Sequence, residues 1–226
     1  MNAAVIVAAG KGTRMGPDRD KIFLELAGRP VIAHTWNRFD SAPCIDTIVL
    51  AVREGMQSAF QEIAAQYGFR KPYQIIVGGK ERQDSVWNGI AALPAGTDLV
   101  AIHDGARPCV THALIAATLQ AARETGAAVA GQKITDTIKE TEDGSVIART
   151  VDRSRLWSVQ TPQSFRVTVI KQAIRTAKAQ GLNLTDDTAA CELIGQPVRL
   201  VAGESPNPKV TVPSDLPYIE LLLKNG

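Results

Sequence analysis

Short apolar runs alternate along this chain with longer segments in which apolar residues recur every three or four positions. The apolar runs have the length and composition of buried strands: AAVIVAA, DTIVLAV, YQIIVGG, DLVAIHD, AAVAGQ and VRLVAG. The longer segments have the period of amphipathic helices: VIAHTWNRF, MQSAFQEIAAQYG, DSVWNGIAALP, HALIAATLQAARETG and VTVIKQAIRTAKAQG. Strands that are apolar throughout and alternate with helices predict a mostly parallel sheet covered on both faces.

Helix-ending residues agree with this pattern. Gly68, Pro94, Gly126 and Gly181 follow four of the helical segments, and glycine or proline is the usual residue just beyond the end of a helix. We therefore predict an α/β fold with a Rossmann-like, doubly wound, mostly parallel sheet.

The segment KITDTIKETEDGSVIARTVDR departs from this alternation. Its residues alternate in character on either side of EDGS, a hairpin turn signal, and both faces are too polar for a central strand. The sequence predicts a projecting β-hairpin arm at about residues 132–155, inserted in a single domain of residues 1–226. Because an isolated hairpin is only marginally stable, we expect the arm to pack on a second subunit.

Composition and charge exclude several classes of protein. The chain of 226 residues is 45% hydrophobic and 21% charged, with a net charge of +2, too small to indicate a nucleic-acid partner. No apolar run approaches the ~20 residues of a membrane span, and MNAAVIVAAG lacks the basic start of a signal peptide. The three cysteines are scattered without metal-site spacing. We therefore expect reduced thiols, no membrane association and a cytoplasmic protein.

The stretch AAGKGTRMG places three glycines directly after the first predicted strand. Glycines in this position let backbone N–H groups approach a phosphate. Met15 occupies the position at which both a Walker loop and a dinucleotide fingerprint require another residue type. The loop therefore predicts an anion site of a different kind, with Arg14 and Lys21 as the neighbouring cations.

Two further loops belong to the same predicted sheet edge, where ligands of open α/β sheets bind. GGKERQDSV follows the third strand and could hold a flat base against Gly78 and Gly79, with Ser85 as a hydrogen-bond donor. IHDGARP ends the fourth strand with Asp104, well placed for a magnesium ion or a ribose hydroxyl. We interpret His103 as a structural histidine rather than a general base. A single glycine or arginine is usually a turn or a surface charge, but their convergence from three loops favours a site.

Two later stretches add polar residues to the set. DRSRLWSVQTPQSF brings Arg153 and Arg155 from the returning strand of the arm toward Thr161, and NPKVTVPSDL places Lys209 after a loop bracketed by prolines. Any of these cations could be a surface charge, although a polar TPQ between apolar residues is costly to keep for packing alone.

In this order, AAGKGTRMG with a following DK, GGKERQDSV, HDGARP, LWSVQTPQ, LTDD and NPKVT closely resemble the 2-C-methyl-D-erythritol 4-phosphate cytidylyltransferase family of the non-mevalonate isoprenoid pathway. The resemblance extends from about Ala3 to Leu223. The first loop alone also resembles molybdopterin guanylyl- and cytidylyltransferases, whereas GGxxRxxSV, HDGARP and TPQ are more specific.

The resemblance implies a reaction of CTP with methylerythritol 4-phosphate that gives the cytidine diphosphate derivative and pyrophosphate, with Mg²⁺ as cofactor. It also implies a homodimer whose arms cross the subunit boundary. Its implied catalytic residues are Arg14, Lys21 and Lys209. Its implied CTP-binding residues are Ala8, Ala9, Gly10, Gly12, Gly79, Arg82 and Ser85. Its implied phosphosugar-binding residues are Arg107, Thr137, Arg153, Thr161, Thr185 and Asp186, with Asp104 as the metal ligand. Two departures are Thr13, where some members have a basic residue, and the spacing of GPDRDK before Lys21.

The chemistry of this reaction agrees with the residues present. A phosphate monoester with a second pKa of about 6 is already largely ionised at neutral pH, so the reaction needs no general base. Its difficulty is the repulsion between two anions, which fixed cations and a metal ion relieve. Two alternatives remain: a cytidylyltransferase for another polyol phosphate such as ribitol 5-phosphate, and a regulatory nucleotide-binding module without catalysis.

Overall fold

A computed structural model of the chain describes residues 1–10, 12 and 20–225; Arg14 and Thr13 lie outside the described residues. In chain order the strands are β1 (Asn2–Ala8), β2 (Glu25–Leu26), β3 (Arg29–Pro30), β4 (Thr47–Val52), β5 (Tyr73–Val77), β6 (Leu99–Asp104), β7 (Ala127–Lys133), β8 (Ile138–Thr141), β9 (Ile147–Val151), β10 (Trp157–Arg166) and β11 (Arg199–Ala202). The helices are α1 (Val31–Asp40), α2 (Gln57–Tyr67), α3 (Arg82–Ala91), α4 (His112–Thr125), α5 (Val167–Ala179), α6 (Asp187–Leu193) and α7 (Leu216–Asn225).

Seven strands form the central sheet in the order β11-β7-β10-β6-β1-β4-β5. The six predicted apolar runs supply six of them, and these six run parallel. The seventh, β10, lies antiparallel between β6 and β7. The predicted doubly wound, mostly parallel sheet is confirmed; the pattern did not predict the antiparallel strand.

Alternate residues of the central strands face two separate cores, as the pleat of a sheet requires. On one face, Ile6 of β1 belongs to a cluster that includes Trp36 of α1 and Phe60 of α2. On the other face, Val5 packs in a cluster with Ile90 of α3 and other residues of α3, α5 and α6. Helices therefore cover both faces, which is why the parallel strands are apolar throughout.

The arm is a two-stranded ladder outside the central sheet. Strand β8 pairs with β9 in antiparallel register from Ile138 and Val151 onward, and an ion pair between Arg149 and Glu140 links the two strands. Near the turn, Val146 is 69% and Ile147 58% exposed. The predicted hairpin is thus confirmed, and two of its apolar side chains lie in solvent.

No helix among the described residues is long and apolar enough to cross a membrane.

Candidate active site

The site lies where the chain order of the parallel strands reverses. Strand β1 is flanked by β4, which follows it in the chain, and by β6, which comes later. The carboxyl ends of neighbouring strands then lead in opposite directions, which opens a crevice at that edge of the sheet. Here β1 continues into Ala9 and Gly10, and β6 ends at Asp104.

A first cavity of about 230 Å³, here called the glycine cavity, occupies this crevice. Six of the predicted CTP-binding residues line it: Ala8, Ala9, Gly10, Gly79, Arg82 and Ser85. Lys21, Asp104 and Lys209 line it as well. Gly12 is not among the lining residues, and its positive φ of 62° is a conformation that favours glycine.

The GGKERQDSV loop is held in place by its own packing. A Cβ atom at Gly79 would lie 2.2 Å from the Asp84 Cβ, and one at Gly78 would lie 2.6 Å from the Ala9 Cβ. The Gly79 N–H donates to the Ser85 Oγ at 3.0 Å, and the Ser85 hydroxyl donates to the Glu81 carbonyl at 3.2 Å. Ser85 is buried, so in this structure its hydroxyl fixes the glycine loop.

A second cavity of about 570 Å³, here called the polar cavity, lies beside the first. Four of the predicted phosphosugar-binding residues line it: Arg107, Thr161, Thr185 and Asp186. Arg82, Asp104 and Lys209 line both cavities. We call these three residues the charged wall, because they separate two spaces that sequence reasoning assigns to two different anions.

Asp104 is the centre of the charged wall. The Lys209 ammonium donates to Asp104 Oδ2 at 2.7 Å, and Arg82 Nε donates to Asp104 Oδ1 at 3.3 Å. The Arg107 Nε lies 3.7 Å from Oδ2. Burial raises the pKa of Asp104, but Lys209 and Arg82 outweigh it and hold that pKa well below its usual range. Asp104 is therefore an ionised carboxylate surrounded by cations.

Arg82 also contacts Asp187, a residue that sequence reasoning did not single out. The Arg82 Nη1 lies 2.8 Å from Asp187 Oδ2, and Asp187 is buried. Burial raises the pKa of Asp187 while Arg82 opposes this rise. For Arg82, burial lowers the pKa, but Asp187 and Asp104 together raise it above its ordinary value. The signal that could have pointed to Asp187 is its position as the second aspartate of the motif LTDD.

The segment that carries Lys209 also binds the side chain of Lys21. The Val210 N–H donates to the Ala106 carbonyl at 2.8 Å, which seats the Lys209 segment beside the end of β6. The Lys21 ammonium donates to the Val210 carbonyl at 3.1 Å. Two of the three predicted catalytic cations therefore lie together at the glycine cavity; the third, Arg14, lies outside the described residues.

Both ring nitrogens of His103 are hydrogen-bonded inside the protein. Nε2 lies 3.1 Å from the Arg107 carbonyl, which can only accept, so this nitrogen carries the proton. Nδ1 therefore accepts from the Thr161 hydroxyl at 3.0 Å. Burial lowers the pKa of His103 to about 4. A buried, neutral histidine with both nitrogens occupied agrees with a structural role.

Two predicted phosphosugar residues lie in the arm region and line neither cavity of the described chain: Thr137 and Arg153. Both are exposed, and Arg153 donates to the carbonyl of Thr135. Asp186 lines the polar cavity but is also the N-cap of α6, accepting the Ala189 N–H at 3.0 Å. A single chain thus brings part of the predicted phosphosugar set together.

Two carboxylates of the glycine cavity, Asp104 and Glu81, are of the type that binds Mg²⁺. Mg²⁺ is commonly bound by one or two carboxylates together with substrate phosphate oxygens, and the glycine cavity offers Asp104 and Glu81. Within the described part of the chain, no group of three histidine, cysteine, aspartate or glutamate residues is arranged to hold a metal by itself. Any metal held at Asp104 therefore needs further ligands from water or from a bound substrate.

A doubly wound sheet whose glycine loops, fixed cations and one carboxylate meet between two cavities is the arrangement expected of a nucleotidyltransferase. Residues 2–225 match the family model for 2-C-methyl-D-erythritol 4-phosphate cytidylyltransferase, IspD, and the chain belongs to this family. The predicted activity, a cytidylyltransferase of isoprenoid biosynthesis, is thereby confirmed.

Relatives and solved structures agree over nearly the full length. A protein of Pelotomaculum thermopropionicum with the family's name is 41% identical over 223 residues, covering 98% of this chain and 94% of the relative. A bifunctional IspD/IspF enzyme of Desulforudis audaxviator is 44% identical over 99% of this chain and 57% of its own length. The crystal structure of the 4-diphosphocytidyl-2C-methyl-D-erythritol synthase of Anaerococcus prevotii is similar with a TM-score of 0.86 and 28% identity, covering 99% and 96% of the two chains. The Thermus thermophilus cytidylyltransferase has a TM-score of 0.80 and 32% identity, covering 99% and 100%.

Proposed function

We propose that the glycine cavity binds CTP, that the polar cavity binds 2-C-methyl-D-erythritol 4-phosphate, and that the charged wall brings the two anions together for transfer of the cytidylyl group. The observation that carries this proposal is the position of Arg82, Asp104 and Lys209 on both cavities. Groups that line two adjoining cavities can contact both reactants at once, which is what an in-line displacement requires.

In this mechanism the attacking group is a phosphate oxygen of the acceptor. It is already ionised, because the second pKa of a phosphate monoester is about 6, and no side chain has to remove a proton. The neutral and fully hydrogen-bonded His103 agrees with this. The residues instead neutralise charge. The ammonium groups of Lys21 and Lys209 contact the phosphates and stabilise the negative charge that develops in the transition state as pyrophosphate leaves.

We propose Asp104 as the protein ligand of a Mg²⁺ ion. Such an ion would supply additional neutralisation of the triphosphate. Asp104 is ionised, as a ligand must be, and its Oδ2 is 2.7 Å from the Lys209 ammonium.

We propose that the polar cavity is completed by the arm of a second subunit in a homodimer. Arg153 and Thr137 are exposed and line neither cavity of their own chain, although the family resemblance assigns both to the phosphosugar. The exposed Val146 and Ile147 near the arm turn offer apolar surface for a subunit contact.

The three free cysteines and the modest net charge support a cytoplasmic enzyme without a nucleic-acid partner.

Pyrophosphate release tests the proposal. The enzyme is incubated with Mg²⁺ and CTP, either alone or with 2-C-methyl-D-erythritol 4-phosphate or ribitol 5-phosphate. We expect release with the first acceptor and a rate at least ~100-fold lower with the other, because a site built for one set of hydroxyl groups leaves its polar groups unpaired with another. Equal rates would contradict the assignment of the polar cavity. Binding of CTP without release under any condition would indicate a nucleotide-binding module.

A further inference from the structure

Asn207 lies two residues before Lys209 and is 2% exposed. Its side-chain Nδ2 donates to the Thr161 carbonyl at 2.7 Å, and its backbone carbonyl accepts from Arg107 Nη1 at 2.7 Å. Asn207 is among the lining residues of neither cavity, whereas Thr161, Arg107 and Lys209 line the polar cavity. Asn207 therefore lies behind the site and contacts the residues that form it.

Thr161 is hydrogen-bonded both to the backbone of Asp104 and to Asn207, which precedes Lys209 by two residues. The Asp104 backbone N–H donates to the Thr161 Oγ1 at 3.1 Å, while the Thr161 carbonyl accepts from Asn207. The segment that carries Asp104 and the segment that carries Lys209 are thus both hydrogen-bonded to one residue of β10. Both contacts therefore help to hold the two segments next to each other.

The backbone around Asn207 is stiff. Proline stands on each side of it in the sequence SPNPKV, and each proline fixes its own φ and restricts the residue before it. A displacement of Asn207 would therefore pass to Lys209 rather than be absorbed between the two residues. The next fixed point is Val210, which is bonded to Ala106.

We propose that Asn207 is a positioning residue: by binding the Thr161 carbonyl, it fixes the segment that places the Lys209 ammonium at Asp104 in the charged wall. This inference rests on the proposed role of Lys209. Asn207 acts through Lys209, so its removal should have an effect only while Lys209 is present. A residue that merely supports the fold would have the same effect with or without Lys209.

A double-mutant cycle on the full-length enzyme tests this. Turnover is measured for wild type, Asn207→Ala, Lys209→Met and the double variant, at saturating CTP and acceptor and per folded molecule. Asn207→Ala should lower turnover by roughly 10- to 100-fold, since a misplacement of about 1 Å can cost a factor of this size. In the Lys209→Met background the same substitution should lower turnover by less than about threefold, because coupled residues are not additive.

Thr118→Ala is the matched control for loss of a buried polar contact. Thr118 is buried, and its hydroxyl is bonded to the Ile115 carbonyl and to Ser164, away from both cavities. It should lower the melting temperature and leave turnover per folded molecule unchanged. Where Asn207→Ala does not accumulate as folded protein, Asn207→Ser, whose shorter side chain also loses the contact, takes its place in the cycle.

An equal loss of turnover in both backgrounds would overturn the inference and make Asn207 a structural residue. Unchanged turnover in Asn207→Ala would overturn it as well. If Lys209→Met itself retained full turnover, the proposed function of Lys209 would be refuted, and the inference would fall with it. The first two outcomes leave the role of Lys209 intact, so the two failures are distinguishable.

Discussion

The charged wall and the arm both contain ion pairs, but their surroundings differ. In the wall, the Asp104 side chain is 11% exposed and is surrounded by cations that belong to three separate segments of the chain. In the arm, the Arg149–Glu140 pair is 69% and 49% exposed and joins two adjacent strands. Withdrawing charges from water costs desolvation free energy that their attraction often does not repay, so the buried pairs of the wall agree with a functional role. The exposed pair of the arm carries little such cost and contributes little stability.

The largest effect expected from this difference concerns Lys209. Lys209→Met should lower turnover by roughly 10²- to 10³-fold, by analogy with the loss of one preorganised donor to a transition state. Its melting temperature should also fall, because the buried Asp104 carboxylate loses its nearest cation, so turnover is compared per folded molecule. Steady-state pyrophosphate release and thermal unfolding measure the two quantities.

Lys224→Met is the control for this substitution. Lys224 forms an exposed pair with Glu220 within α7, and its removal should leave turnover unchanged. Similar turnover in the Lys209 and Lys224 variants would show that the charged wall has no catalytic role.

The second effect concerns stability. Asp104→Asn leaves Arg82, Arg107 and Lys209 without their common carboxylate, and we expect it to lower the free energy of unfolding by about 3 kcal/mol. The exposed Arg149 of the arm should behave differently, with a change below about 0.5 kcal/mol for Arg149→Ala. Urea unfolding at pH 7 measures both. Equal changes in the two variants would mean that the burial of Asp104 has no bearing on stability.

A third, smaller effect depends on pH. His103 has a folded-state pKa of about 4, below the ordinary value of about 6.5. The unfolded chain therefore binds a proton at His103 more readily than the folded chain does. The contribution of the neutral His103 to the free energy of unfolding is complete above about pH 6.5 and is lost as the pH falls toward 4. We expect this residue to account for a loss of about 2 kcal/mol between pH 7 and pH 5.

Unfolding of His103→Gln at the two pH values tests that expectation. The loss on acidification should shrink in this variant and persist in His112→Gln. Burial also lowers the pKa of His34, so part of the loss remains. An undiminished loss in His103→Gln would contradict the assignment of the effect to His103.

Hydrophobic periodicity predicted the parallel strands and the edge at which the site lies, because burial on two faces leaves a strong local pattern. It did not predict β10. That strand contains Pro162, which cannot donate to a ladder and normally argues against a central strand. Its first half is also partly exposed beside the polar cavity. The short helix α6 was likewise missed, since seven residues carry little periodicity.

The candidate site was predictable only as far as its residues belong to recognisable loops. Asp104 and Lys209 were found because each belongs to a distinctive motif, HDGARP and NPKVT. Asp187 and Asn207 were missed, because the reason for burying a polar side chain is its partner, and the partners Arg82 and Thr161 are distant in the sequence. Asp187 and Asn207 belong to the motifs LTDD and NPKVT, and the remaining polar residues of such motifs are the signal that sequence reasoning could have used.

The most direct test of the difference between wall and arm mixes two inactive subunits. Arg153→Ala removes the arm contact and Lys209→Met removes the wall contact. If the arm serves the partner, a heterodimer has one site with both residues intact and one site with neither. Random pairing of equal amounts gives about half heterodimers. We therefore expect recovery to about a quarter of wild-type pyrophosphate release after subunit exchange. A mixture that exchanges subunits, shown by an affinity tag on one variant, and remains as inactive as its parents would contradict it.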